Sequence, residues 1–458
     1  MFKEKLQAML APFWKSDRVS PARVIIFGFL LLILLGTVLL MLPFSTEGVG
    51  GAPFFDALFT ATSATCVTGL VVHDTASYWS VFGQLVILFL IQVGGMGVVT
   101  MAVAIFIFSG RRIGLKQRWV MQESISAPQV GGIVRMTGFI LKTAFAVEGI
   151  GASILAVRFC PRFGLWRGLW YSAFHAVSAF CNAGFDLMGV REAGSSLTAF
   201  SANPLVNITV VALILIGGLG FLTWDDLRCH GFHWQSYSMQ SKVILSLSAA
   251  LLVLPFCFFY GYEFARAEWG TLGGGERLWL SLFHTVTPRT AGFNTADLAR
   301  MSEEGRCVTI CLMLLGGAPG STAGGMKITT LAVLMASAAA VFKRNEESYL
   351  FRRRIPQETI RSAAAVALLY TALLLGGGLF ISCREALPLG VCLFEAASAL
   401  CTVGLSVGAT AQLGAASRAV LIALMFLGRI GGLTLVFAAL RPTDNGAARY
   451  PQESIHVG

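Results

Sequence analysis

The sequence predicts an all-α integral membrane protein of four tandem parallel repeats, with eight transmembrane helices and four re-entrant loops around one pseudo-fourfold axis. Three observations carry that expectation. The 458 residues are 55% hydrophobic and only 13% charged, where a soluble protein has about 25% charged residues. A glycine in similar company recurs in TSATCVTGL (Gly69), SAFCNAGF (Gly184), TPRTAGF (Gly292) and SALCTVGL (Gly404), at spacings of 115, 108 and 112 residues. Each glycine follows an apolar stretch too short to cross a bilayer and lies between two long apolar runs.

The first runs are Val24–Pro43, Gly132–Phe159, Val243–Gly261 and Ala363–Ser382. No small-residue cleavage site follows Val24–Pro43, so it reads as a retained span and not a signal peptide. The short segments Phe54–Cys66, Leu169–Cys181, Arg277–Thr287 and Leu389–Cys401 have the length of re-entrant helices. The second runs are Val81–Ser109, Pro204–Trp224, Cys307–Phe342 and Val420–Leu440. Their glycine clusters are GGMGVVT (Gly94–Thr100), GGLGFLT (Gly217–Thr223), GGMKITT (Gly324–Thr330) and GGLT (Gly431–Thr434). Two crossings return the chain to its starting side, so all four units share one orientation. The expected boundaries are repeat 1 at 24–110, repeat 2 at 131–224, repeat 3 at 243–342 and repeat 4 at 358–440. Cytoplasmic segments are expected at 1–23, 343–357 and 441–458. The third unit is one residue shorter between FHTVT (Phe283–Thr287) and its glycine than the second is after FHAVS (Phe174–Ser178). Its turn is expected to differ.

The net charge of +10 does not point to nucleic acid. Its densest parts flank apolar runs: Arg111, Arg112, Lys116 and Arg118, then Lys343, Arg344, Arg352, Arg353 and Arg354. Such clusters mark the cytoplasmic side, although Arg158, Arg162 and Arg167 fall on the side assigned as outer. The ten cysteines form no C-x-x-C pair and no ligand spacing with histidine. They are expected to be reduced, packed thiols, with no structural metal or disulfide.

Non-helical backbone at membrane depth is tolerated only inside protein or along a watery cavity. Four such turns on one axis present a ring of carbonyls that can replace the hydration shell of a monovalent cation. The candidate ligands are the carbonyls of Val67, Thr68 and Gly69, of Asn182, Ala183 and Gly184, of Thr290, Ala291 and Gly292, and of Thr402, Val403 and Gly404. Thr402-Val403-Gly404 also matches the start of the potassium-channel filter TVGYG, but a Leu or Phe follows each glycine, so a shorter filter with one strong K⁺ site is expected. Four ordinary helix-packing turns are the alternative.

These loops, together with RTAGFN (Arg289–Asn294), GGAPGSTAGGMK (Gly316–Lys327) and LGRIGG (Leu427–Gly432), resemble the Trk/Ktr/HKT superfamily of potassium transporters over nearly the whole chain. Trk-type members usually carry two extra N-terminal spans. Here about 23 residues precede the first apolar run, which resembles the KtrB type. The resemblance implies a selectivity filter at Gly69, Gly184, Gly292 and Gly404. Some members have serine at the first position and favour sodium, so four glycines favour potassium. It further implies a homodimer in the cell's inner (plasma) membrane, docked on a cytoplasmic nucleotide-binding ring of the KtrA type, with sodium promoting uptake. K⁺ and Na⁺ enter as transported or activating ions, and no bound cofactor is implied.

The third unit's second run is interrupted by Gly316, Gly317, Gly320, Ser321, Thr322, Gly324 and Gly325, with Lys327 following. Glycine costs a helix about 1 kcal/mol and proline about 3 kcal/mol, so residues 316–325 are expected to form an intramembrane loop; a kinked helix is the alternative. A phosphate loop is excluded because Met326 stands where Gly320–Gly325 would require lysine. Arg429 interrupts the last span at a cost of about 3 kcal/mol on insertion scales, and such residues are functional by default. The resemblance implies an arginine beneath the filter beside the loop. Together they are expected to form the gate, with an interhelical ion pair as the alternative.

Lys142 and Glu148, six residues apart in one span, are each expected to pair with another helix. His175 and His284 are expected to pack, and Cys66, Cys181 and Cys401 to lie behind the filter. Asp74, Asp186 and Asp297 either concentrate cations at the outer mouth or are solvated loop charges. The mixed-charge stretch Glu346–Arg354 offers a docking surface. No nucleophile–base or metal constellation points to an enzyme. The alternatives are a sodium-conducting or proton-coupled relative and, further off, an organic-solute transporter, a class that commonly uses inverted repeats.

Overall fold

The computed structural model describes residues 21–48, 50–101, 115–124, 131–190, 194–270 and 272–431. The expected terminal segments 1–20 and 441–458, Arg111, Arg112 and the Gly432–Thr434 part of the last glycine cluster lie outside the described residues.

The first unit opens with α1 (Pro21–Leu40), an apolar run whose initial proline sacrifices no helical hydrogen bond. Ile25, Phe29, Ile33, Thr37 and Leu40 form its buried stripe, while Phe27, Leu34, Leu35 and Val38 face outward. A helix apolar all round with one face exposed is stable where the surrounding medium is apolar too. The short α2 (Phe54–Thr65) follows, then α3 (Val81–Met96), whose cap Ser80 accepts from the Gly83 N–H at 3.3 Å. The linker helix α4 is Leu115–Ser124.

The second unit contains α5 (Ile133–Phe163), the short α6 (Leu165–Phe180), α7 (Pro204–Gly218) and α8 (Phe221–His230). In the third, α9 (Met239–Gly261), the short α10 (Gly274–Val286), α11 (Glu303–Leu314) and α12 (Ile328–Phe342) follow. Ser302 caps α11 and Glu303 and Glu304 occupy its first turn, which suits the helix dipole. A two-stranded hairpin, β1 (Tyr349–Leu350) with β2 (Arg353–Arg354), leads into the fourth unit: α13 (Gln357–Glu385), the short α14 (Leu389–Leu400) and α15 (Ala415–Ile430).

Among the described residues, the four first runs are the helices long and apolar enough to cross a membrane alone. The second runs are not single helices. α3 stops at Gly97 (φ +87°) before helix resumes at Val98, and α7 and α8 meet at 96° across Gly220 (φ +87°). α11 and α12 are parted by residues 315–327. α15 ends at Gly431 (φ +89°), the last described residue. The continuous runs expected at Val81–Ser109, of which residues 102–109 lie outside the described residues, and at Pro204–Trp224 are corrected accordingly, whereas the interruption expected at 316–325 of Cys307–Phe342 is present. At Gly97 and Gly220 apolar residues stand on both sides of the break, and backbone geometry stops the helix.

Two apolar cores interlock. One gathers units 1 and 2 but includes Phe283, Val286, Ala291 and Phe293 of unit 3. The other gathers units 3 and 4 but includes Phe59, Cys66 and Leu70 of unit 1. Alanines of the short helices make this possible: Ala57, Ala61, Ala64, Ala176, Ala179, Ala396, Ala397 and Ala399 are all fully buried, so the short helices approach the axis closely.

Candidate ion pathway

Each short helix runs out into the turn marked by its glycine, and the four turns repeat one backbone pattern. Two residues before the glycine, Val67 (φ +57°), Asn182 (φ +59°), Thr290 (φ +71°) and Thr402 (φ +51°) are left-handed. The glycines follow at φ +90°, +67°, +78° and +92°. Positive φ at β-branched Val67, Thr290 and Thr402 is an outlier that costs about 1–3 kcal/mol and persists only where its surroundings enforce it.

A hydroxyl enforces it in every unit. Ser63 accepts from the Gly69 N–H at 3.1 Å, and Ser398 from the Gly404 N–H at 3.0 Å. Ser178 and Thr287 donate to the carbonyls of Phe185 and Phe293, both at 2.7 Å. Thr287 stands five residues before its glycine where the others stand six, which is the shorter third turn expected from the sequence. The repeat F-x-A-x-S carries this signal in units 1, 2 and 4, and reading only the two His-bearing copies misses it.

The turns close a ring. A methyl group built on Gly69 would lie 3.1 Å from Gly184 Cα; on Gly184, 2.9 Å from Gly292 Cα; on Gly292, 3.2 Å from Gly404 Cα; and on Gly404, 3.0 Å from Gly69 Cα. Each such methyl would also collide with the carbonyl before the next glycine, in the order Ala183, Ala291, Val403 and Thr68. The expected residues Val67–Gly69, Asn182–Gly184, Thr290–Gly292 and Thr402–Gly404 therefore meet at one centre. The hydroxyls of Thr68, Thr290 and Thr402 are buried without a partner among the described residues.

Above the ring opens a vestibule of about 330 Å³ lined by all four glycines, Asp74, Asp186, Ser196 and Asn294. Asp74 caps the turn Thr75–Tyr78 and accepts from the Gly194 N–H at 3.0 Å. Burial pushes the Asp186 carboxyl up to about 6 against the opposing Met188 N–H; the Asp74 charge adds to the rise and the Ser196 hydroxyl opposes it. Asp297 is not part of this lining: it caps Leu298–Arg300 and pairs with Arg300 at 3.4 Å, as a surface charge.

His175 and His284 are buried packing residues. His175 bonds the Tyr171 carbonyl at 2.7 Å, and His284 meets the Thr309 hydroxyl at 3.1 Å. The equivalent position in unit 4 is Glu395, which sequence reasoning missed. It accepts from the Ser406 hydroxyl at 2.7 Å, the Val407 N–H at 3.1 Å and the Thr410 hydroxyl, fixing the chain beyond Gly404. Cys66, Cys181 and Cys401 are buried and free, and no metal-holding group occurs among the described residues. Glu148 pairs with Gln92 of α3, as expected of a carboxyl in a span, while Lys142 is exposed.

Beneath the ring, methyls on Gly94, Gly217 and Gly428 would strike the carbonyls of Thr65, Phe180 and Leu400, the last residues of three short helices. Gly94–Gly97, Gly217–Gly220 and Gly428–Gly431 are therefore equivalent. The fourth cluster starts at Gly428 and not at Gly431, and Arg429 takes the place of Gly95 and Gly218. Its guanidinium donates to the carbonyls of Gly94 at 2.5 Å, Gly95 at 3.0 Å and Thr322. Its partners are carbonyls, and no carboxylate pairs with it among the described residues, so the expected alternative of an interhelical ion pair is not seen.

The unit 3 loop is sewn in from three sides. The N–H groups of Ala318 and Thr322 bond the carbonyls of Gly218 (3.0 Å) and Gly217 (3.2 Å), and the Phe221 N–H bonds Gly320 (2.8 Å). The Thr322 hydroxyl donates to the Phe180 carbonyl at 3.0 Å. Gly325 N–H reaches the Gly428 carbonyl at 3.3 Å, and a methyl on Gly324 would collide with Thr402. Gly316 N–H bonds the Met326 carbonyl at 2.8 Å, Ile328 N–H bonds Gly317 at 3.2 Å, and the Ser321 hydroxyl donates to Ala318 at 2.7 Å. Lys327 donates to the carbonyls of Ala323 (2.7 Å) and Gly324 (3.4 Å). The loop thus lies directly under Thr402, with Arg429 bridging it to unit 1.

The chain has relatives among known proteins, by sequence and by fold. Residues 23–242 and 227–448 match the family described as TrkH, cation transport protein. The potassium/sodium uptake protein NtpJ of Enterococcus hirae is 40% identical over 96% of this chain and 98% of its own. Ktr system potassium uptake protein B is 38% identical in Bacillus subtilis, covering 97% of this chain and 98% of that protein. In Vibrio alginolyticus it is 33% identical, covering 98% and 97%. The crystal structure of the potassium transporter TrkH from Vibrio parahaemolyticus shares the fold, with a TM-score of 0.71 and 20% identity over 93% of this chain and 86% of that one.

Proposed function

The chain belongs to the TrkH family of cation transport proteins, and from that premise we propose that it is the K⁺-translocating subunit of a Ktr-type uptake system. It is a multi-pass membrane protein related to transporters, not to enzymes. The observation that carries the reading is the closed ring of Gly69, Gly184, Gly292 and Gly404. Carbonyls of the four turns substitute for the water of a single dehydrated K⁺, and the vestibule carboxylates Asp74 and Asp186 concentrate cations above it.

In this reading, residues 316–325 and Arg429 form the gate. A flexible segment and a positive charge stand under the filter, and K⁺ passes when both move aside. The chain works in the plasma membrane with cytoplasmic termini, as a homodimer on a nucleotide-binding ring for which the 343–357 linker offers a docking surface, and sodium stimulates uptake. A second reading, conduction of sodium as well, is favoured by the name of the Enterococcus relative.

The test is growth of a potassium-uptake-deficient host at low K⁺, with and without the cytoplasmic partner, paired with K⁺, Rb⁺ and Na⁺ fluxes in liposomes. Rescue and a K⁺-selective flux are expected. Failure to rescue in both conditions, given confirmed expression, overturns the assignment, and comparable Na⁺ flux selects the second reading.

A further inference from the structure

Behind the second turn lies a buried carboxyl that the proposed pathway does not use. Glu148 sits mid-way along α5, 5% exposed, where an ionisable side chain is costly, rare and usually functional. Its partners are neutral. Gln92 Nε2 donates to both carboxyl oxygens, at 3.0 and 3.3 Å, and Cys181 Sγ lies 4.0 Å from Oε1. The Gln92 side-chain oxygen accepts in turn from Cys181 Sγ at 3.8 Å. Three elements therefore meet in one polar cluster: α5, the end of α3, and the residue before the left-handed Asn182.

The cluster lies next to the seat of Arg429. Two and three residues beyond Gln92 are Gly94 and Gly95, whose carbonyls belong to the last turn of α3, where the regular helical bonding runs out; Gly94 keeps a 3.3 Å bond from the capping Gly97 N–H. The Arg429 guanidinium caps them, as a cation does at a helix C-terminus. A methyl on Gly95 would lie 2.7 Å from Cys181 Sγ, so this helix end has no room to shift without moving the base of the second turn. Packing alone would be served by an apolar residue at 148. A strong acceptor aimed at Gln92 does something else: it fixes the rotation of the end of α3 and so the direction of its carbonyls.

We propose that Glu148 is a positioning residue for Arg429, acting through Gln92 and the Gly94–Gly95 carbonyls. The effect on flux rests on the reading of Arg429 as part of the gate; the holding of the guanidinium does not, and it is measured separately. In the full chain reconstituted in liposomes, the rate at which phenylglyoxal modifies Arg429 is followed by mass spectrometry of its peptide. Glu148→Ala and Gln92→Leu are expected to raise that rate about fivefold, the size of coupling typical of residues in one hydrogen-bond network. Glu148→Gln keeps an acceptor oxygen and stays within about twofold. Glu148→Ala also raises K⁺ flux about threefold in the native background, and by less than about 1.5-fold where Arg429 is already alanine. Unchanged modification in both Glu148→Ala and Gln92→Leu overturns the inference, as does a rise in flux of the same size with and without Arg429. Raised modification with unchanged flux leaves Glu148 in its role and removes Arg429 from the gate. Should Glu148→Ala fail to fold, Gln92→Leu alone and with Arg429→Ala carries the same comparison.

Discussion

Arg418 donates to the Asp56 carboxylate at 3.1 Å across 362 residues of chain. Asp56 opens the first short helix and Arg418 lies in the first turn of α15, so this contact joins the fourth unit to the first and closes the ring from outside. His73 reaches the other oxygen of Asp56 at 2.8 Å and stacks on Tyr78 at 4.1 Å, which links the seam to the vestibule wall. Hydrogen bonds to charged groups contribute about 1.5–3 kcal/mol, and both partners here are mostly buried (19% and 15% exposed). Arg418→Met is therefore expected to lower unfolding stability by about 2 kcal/mol, read as an earlier thermal transition in detergent. An unchanged transition would remove the pair as a closing contact.

Gly404→Ala tests the ring itself. The new methyl meets the Thr68 carbonyl and approaches Gly69 Cα at a backbone angle of φ +92°, which L side chains rarely adopt. Either the turn or its neighbour must shift, and the spacing of the carbonyls changes with it. The K⁺/Na⁺ flux ratio is expected to fall by at least about tenfold, equivalent to about 1.4 kcal/mol of discrimination. A ratio preserved in Gly404→Ala and Gly292→Ala alike would argue that selectivity lies elsewhere.

The four units, their turns and the meeting of their glycines were legible because period and residue type repeat together. So was the loop at 316–325, from its glycines and proline, but the breaks in the other second segments were not. Gly97 and Gly220 interrupt helices and Gly431 ends one, and hydropathy is blind to a change in φ. The register of Arg429 was hidden for a related reason: GRIGGLT offers both Gly428 and the pair Gly431–Gly432, and only the contact of Gly428 with Leu400 shows which one matches Gly94. Glu395 escaped because its counterparts are Thr60, His175 and His284. Four side chains of three chemistries occupy one structural position, held by the constant spacing of buried Phe59, Phe174, Phe283 and Phe394 and not by chemistry.

Acid outside the membrane should weaken uptake. The Asp186 carboxyl, lifted to about 6 chiefly by burial, is ionised at neutral pH and protonated below about 6, when the vestibule loses a negative charge beside Asp74. K⁺ uptake at limiting K⁺ is expected to decline from pH 7 to pH 5, while Asp186→Asn starts lower and stays flat over that interval. The stability effect has the opposite sign. A raised carboxyl pKa means that the folded state holds its proton more tightly than the unfolded chain, so the stabilisation is complete below about 3.8 and lost as pH rises through about 6. Asp186→Asn should therefore be more stable than the native protein at pH 7. A pH profile shared by both proteins would place the titrating group elsewhere.

The loop and Arg429 make the final prediction, because their contacts are reciprocal. Thr322 offers its carbonyl to Arg429 and its hydroxyl to the Phe180 carbonyl, so one residue of the loop reads both the guanidinium and the base of the second turn. Arg429→Ala removes the charge and leaves the loop's own bonds to Gly217, Gly218 and Gly428. A deletion within 316–325 does the reverse. If both obstruct K⁺ beneath Thr402, each change should raise flux, the deletion by about tenfold, which corresponds to about 1.4 kcal/mol off the barrier, and arginine removal by less, because the loop still fills the space. The combined variant should fall short of the product of the two effects, since residues sharing one hydrogen-bond network do not act additively. Flux measured in liposomes without any cytoplasmic partner isolates the effect, and native rates in both variants would exclude this region as the gate.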